Sequence, residues 1–152
     1  MEDRKIDQVV NELSRYKVVV CALQKTKWFG NEVYKVGNGV VLSSGRSVPG
    51  LGEVRQRGEG VAIVLIGPAL EAWKNGGSVW KAWSSIIISV TLVDDSFRGS
   101  NRLHVLSCYA PTFSATRQEK DSFYSTLQLA LDAIPLREGF LFLGDFKARI
   151  GS

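Results

Sequence analysis

Three stretches of this chain end an apolar run on residues able to do chemistry. VVVCAL gives way to Gln24 and Lys25, HVLSCY closes on Tyr109 ahead of Ala110 and Pro111, and FLFLG ends on Asp145. Polar groups at the mouths of buried strands converge into a site, because a rigid sheet holds them while the adjoining loops expose them. Each also has a plainer account: Tyr109 as a half-buried core tyrosine, Asp145 in GDF as the cap of a turn. It is the set of three that favours a site. Lys25 is its unusual member, since an ammonium donates hydrogen bonds but cannot coordinate a metal.

The elements that must position these residues can be read from periodicity. Ile6, Val9, Val10, Leu13 and Tyr16 recur on one face of a helix running from Asp3 to Tyr16. KVVVCAL is a continuous β-branched run, as expected of a central strand covered on both faces. GVVLS, GVAIVLI, SIIISVTLV, RLHVLSCY and FLFLG give further strand signals, most of them bounded by Gly, Ser, Asn or Asp. A second helix spans about Arg117 to Ala133, with Phe123, Leu127, Leu131 and Ile134 on one side. Thr116 and Glu119 fit a capping box at its start, and Pro135 lies just past its end.

Ser43 to Gly60 is rich in Gly and Arg and reads as a long connection. Its Gly50 and Gly52 are no dinucleotide fingerprint, because no third glycine follows in register and a strand stands where a phosphate-binding helix is needed. Arg46, Arg55 and Arg57 suit either a solvated loop or contact with phosphates. There is no repeat, low-complexity tract or dividing linker, so residues 1–152 read as one domain.

At 152 residues, with 45% hydrophobic and 22% charged content, the chain has the balance of a globular protein with a core. No apolar stretch reaches the roughly 20 residues that cross a bilayer. The N-terminus MEDRKIDQVV lacks the basic-then-apolar plan of a secretory signal. An intracellular protein of nucleus or cytoplasm, away from membranes, is the expectation. Cys21 and Cys108 sit inside strand-like runs without a CxxC or Cys/His neighbour, as buried thiols do. The net charge of +4 permits phosphate-rich partners such as DNA or RNA but does not require them.

Three ordered motifs resemble the endonuclease/exonuclease/phosphatase superfamily, the DNase I-like proteins: LQ-x-T-K-W from Leu23 to Trp28, S-C-Y-A-P-T from Ser107 to Thr112, and G-D-F-x-A-R from Gly144 to Arg149. Within it they look most like the endonuclease domains of LINE-type retrotransposons and craniofacial development protein 2-like proteins. The resemblance implies an α/β (α+β) fold, a four-layer sandwich of two mostly antiparallel sheets flanked by helices. It also implies Mg²⁺-dependent hydrolysis of phosphodiesters in DNA. A hard cation of this kind is held through oxygen by one or two carboxylates and keeps several waters. By the same resemblance, position 25 is the place of a metal-binding Glu, Tyr109 contacts the scissile phosphate, Asp145 orients the attacking water, and position 147 is the place of an Asn.

The chain departs from that pattern at two positions, where Lys25 and Lys147 stand. An ammonium about 4 Å from a divalent cation repels it by on the order of several kcal/mol, even at an effective dielectric near 20. Lys147 adds a second positive charge and is expected to pair with Asp145. Compared with the family, the chain starts after a first strand carrying an Asn and stops before a D-x-N element and an Asp-His pair, so a partial domain is expected. Strands missing from one sheet are expected to leave part of GVAIVLI and SIIISV open, a face prone to self-association. Trp73, Trp80 and Trp83 are expected to pack against a sheet edge. His104, five residues before Tyr109, points to the opposite face of its strand and takes no catalytic part. The leading reading is an endonuclease-like domain of retrotransposon descent with its catalysis lost. The alternatives are a non-catalytic module that grips nucleic-acid backbone with its basic loop, Lys25, Lys147 and Arg149, and an active phosphodiesterase or phosphatase completed by other segments.

Overall fold

The opening periodicity forms α1 (Asp3–Arg15), which turns Ile6 and Val10 inward onto a four-stranded sheet. In this computed structural model the described residues are 3–15, 17, 19–28, 30–45, 60–97 and 100–145, with residues 3–5 and 145 described by backbone alone. The sheet under α1 is built from β1 (Val20–Gln24), β2 (Asn31–Val36), β3 (Gly39–Ser44) and β4 (Val61–Ile66). Its order is β1-β4-β3-β2, antiparallel throughout. Side chains alternate between its faces with period two. Val41, Ala62, Val64 and Ile66 pack with α1, whereas Val40, Leu42, Ile63 and Leu65 join the core on the other side.

That second core meets a second sheet. Gly67 at φ +55° and Pro68 at the first helical position turn the chain out of β4 into α2 (Pro68–Asn75), where Ala69, Leu70, Ala72 and Trp73 are buried. β5 (Trp80–Ser84), β6 (Ile87–Val93), β7 (Arg102–Tyr109) and β8 (Gly139–Asp145) follow in the spatial order β5-β6-β7-β8. Pairing is antiparallel except between β7 and β8, which α3 (Arg117–Asp132) connects in parallel. A parallel pair needs such a crossover, since no tight turn returns the chain in the same direction. The start of α3 is set by Thr116, whose hydroxyl accepts the Glu119 N–H at 3.1 Å. Phe123 anchors the helix in the core. The result is an α+β fold of two packed sheets flanked by helices, consistent with the DNase I-like sandwich.

Several expectations change. The KVVVCAL run supplies β1, an edge strand of the described sheet, and Lys17 ahead of it takes a left-handed turn conformation at φ +59°. The interior positions belong to β4 and β3, whose six residues each are all buried. GVAIVLI and SIIISV are therefore covered, where an open face was expected; α1, α2 and the opposing sheets close over them. Exposed apolar side chains lie elsewhere, among them Val33 on β2, Phe113, Leu129 on α3, Leu136, and Phe140 and Leu141 on β8. Three elements had no sequence expectation: β2, α2 and β5.

Candidate functional site

β1, β7 and β8 end at the same rim of the sandwich, and this juxtaposition makes the site. In the parallel register Tyr109 lies opposite Asp145. β7 and β8 approach closely there because residue 144 is glycine; a Cβ on Gly144 would collide with the Cys108 carbonyl. β1 reaches the pair from the other sheet, where the Gln24 amide donates to the buried Ser107 hydroxyl at 3.4 Å. One residue further, the Lys25 Nζ sits 5.2 Å from the centre of the Tyr109 ring. Tyr109 is only 2% exposed, so the ring forms a fixed floor beneath an exposed ammonium. Such a cation–π contact is worth about 0.5–1 kcal/mol at an exposed site.

The loop carrying Lys25 is held in an uncommon shape. Lys25 and Lys27 adopt φ of +56° and +61°, a left-handed conformation that side chains other than Gly, Asn and Asp seldom take. Thr26 between them is tied down, its N–H donating to the Gly60 carbonyl at 3.0 Å. Gly60 in turn donates to the Ser85 carbonyl at 2.8 Å. Gly60 lies at φ +105°, and a side chain there would strike the Thr26 hydroxyl and the Lys27 amide. The backbone of β4's approach thus clamps the Lys-Thr-Lys turn, and both lysines are exposed on either side of it.

The structure therefore brings Lys25, Tyr109 and the backbone of Asp145 together, as the three motifs suggested. Lys147, Arg149, Arg46, Arg55 and Arg57 lie outside the described residues. Among the described residues no group of three or more His, Cys, Asp or Glu is placed to hold a metal ion. Lys25, at the position where the resemblance calls for a carboxylate, offers only donors. His104 sits elsewhere, its ring nitrogens 3.2 Å from the Thr91 hydroxyl and 3.1 Å from a Glu138 carboxylate oxygen. Gln24 was named at a strand end, but its bond to Ser107 and the parts played by Thr26 and Gly60 were not read from the sequence. Their roles are contacts between segments as far apart as 83 residues, and no local pattern encodes such pairs.

The thiols are quiet. Burial raises the Cys108 thiol from its ordinary value of 9.0 to about 11, and burial also raises Cys21. No helix among the described residues is long and apolar enough to cross a membrane.

A two-sheet α+β sandwich with a polar rim at three strand ends is the class of protein that the fold and site define. Over the whole chain the sequence is 27% identical to craniofacial development protein 2 of Bos taurus, of which it covers 23%. It is likewise 27% identical to craniofacial development protein 2 of Tragulus javanicus, covering 24% of that protein. The chain thus spans about a quarter of the length of these curated relatives. No family model matches it, and no solved structure does.

Proposed function

We propose that this chain is an endonuclease-like domain in which metal-dependent phosphodiester hydrolysis has been lost. One observation carries the reading: the Lys25 ammonium lies over the Tyr109 ring at the rim where β1, β7 and β8 converge. Mg²⁺ demands near-octahedral oxygen ligands. A lysine in place of a ligating carboxylate withdraws a ligand and adds a charge of the wrong sign. The Gln24–Ser107 bond and the clamped Thr26 fix the loop that carries Lys25, which supports reading position 25 as a substituted ligand position.

The test is plasmid nicking with and without Mg²⁺. No nicking above background is expected; Mg²⁺-dependent nicking that vanishes in Asp145→Ala overturns the reading. A reversion sharpens it. Lys25→Glu combined with Lys147→Asn is expected to raise Mg²⁺ affinity in calorimetric titration without restoring turnover. Unchanged heats in the double variant show that the cation has been placed wrongly.

A second reading is favoured by the exposure of Lys25 and Lys27 on one fixed turn: a module that holds nucleic-acid backbone without cutting it. Backbone contact makes affinity fall with salt, with a log–log slope of about −0.9 per phosphate for duplex DNA. Affinity independent of salt removes this reading.

A further inference from the structure

On the opposite side of the second sheet from the inter-sheet core, a groove of about 440 Å³ opens between β5 and the C-terminal end of α3. That is within the range of pockets that take small molecules. Its walls are apolar, formed by Trp83, Leu106, Ala130 and Ile134; Arg102, His104 and Glu138 make its polar end, and Lys81 lines it beside Trp83. We propose that this groove binds a small organic monoanion, a carboxylate joined to a flat apolar body.

Charge sets the sign of the ligand. Glu138, whose side chain is 15% exposed, is already engaged on both oxygens, by Arg102 Nε at 3.5 Å and by His104 Nε2 at 3.1 Å. A cationic ligand finds that carboxylate taken. Arg102 uses Nε on Glu138, and a guanidinium has four further N–H donors on its terminal nitrogens. Lys81 contributes an ammonium beside Trp83, so the lining carries two permanent cations against one carboxylate. An arginine fork of this kind matches a carboxylate in both shape and charge.

The apolar wall is pre-set. The β5–β6 register slips between Ala82 and Ser84, which makes Trp83 the extra residue of a bulge. Bulges re-aim a side chain and recur beside functional sites. The Trp83 indole N–H donates to the Ser89 hydroxyl at 2.8 Å, and Lys81 Nζ lies 4.0 Å from the centre of the ring. The indole is thus fixed before any ligand arrives, which lowers the entropy lost on binding.

The probe is 2-naphthoate, titrated by calorimetry into the full chain, with neutral 2-naphthamide as the control for charge. Saturable 1:1 binding is expected, with the amide at least about tenfold weaker, corresponding to about 1.4 kcal/mol. Arg102→Gln, on a half-exposed side chain, weakens the naphthoate by about tenfold. Ala133→Phe, at an exposed position on the rim of the groove, abolishes binding. Absence of saturation, equal binding of the amide, or undiminished binding in either variant overturns the proposal. Should Ala133→Phe fail to fold in a thermal melt, Arg102→Gln and the amide decide the question.

Discussion

The rim and the groove each place a lysine against an aromatic ring, yet they solve the electrostatics differently. In the groove, Lys81 lies over Trp83, and Glu138 gathers Arg102 and His104 around itself. At the rim, Lys25 leans on the Tyr109 ring, and its loop carries two left-handed lysines. A ring quadrupole satisfies a cation less completely than a carboxylate does, and left-handed backbone costs of order 1–3 kcal/mol per residue. The rim is therefore a strained shape kept by neighbouring hydrogen bonds, whereas the groove's one carboxylate is held by an ion pair and a histidine on unstrained strands.

The strongest way to break that comparison is at Gly60. Gly60→Ala forces a side chain into positive φ and into the Thr26 hydroxyl, and about 2–3 kcal/mol of stability should be lost in chemical denaturation. A loss below about 0.5 kcal/mol shows that the clamp on the Lys-Thr-Lys turn does not hold it. Glu138→Gln is smaller. It removes the charge partner of Arg102 while retaining an acceptor for His104, and about 1 kcal/mol should go, less at high salt. Equal losses for the two variants erase the distinction between a strained rim and an ion-paired groove.

The least perturbing measurement sharpens the contrast by leaving both regions untouched. Native protein at pH 8 should resist iodoacetamide at Cys108, by mass spectrometry, while the denatured chain reacts at both cysteines. The sign of the linkage follows from the raised value. Folding holds the thiol proton, so this contribution to stability is complete below 9.0 and is lost as pH rises towards about 11. Rapid native labelling of Cys108 shows that the core opens far more readily than its burial suggests.

Local chemistry in the sequence is reproduced where it acts locally. Ile6 and Val10 mark the buried face of α1, and Thr116 caps α3. The strand runs around Leu42, Ile63, Val90 and Leu106 are strands. Elements with weak patterns were not legible. NEVYKV in β2 mixes charge into an edge strand, α2 is only eight residues long between glycines, and β5 places Lys81 between two tryptophans. At the candidate site, Gln24, Lys25 and Tyr109 were legible as strand-end residues, whereas the bond from Gln24 to Ser107 was not, because it spans the two sheets.

What the sequence alone determined is therefore whatever depends on neighbours within a few turns: the two long helices, the apolar strands, the cap, and lysines at the ends of apolar runs. The tertiary structure decided which strand is central and which is an edge, because β4 pairs on both sides and β1 on one. It also decided that Tyr109 faces Asp145, through a parallel register. The bulge at Trp83 and the meeting of His104 with Glu138 were decided there as well. The physical reason is that hydrogen-bond register and sheet order are non-local pairings, fixed by the packing of whole faces against one another.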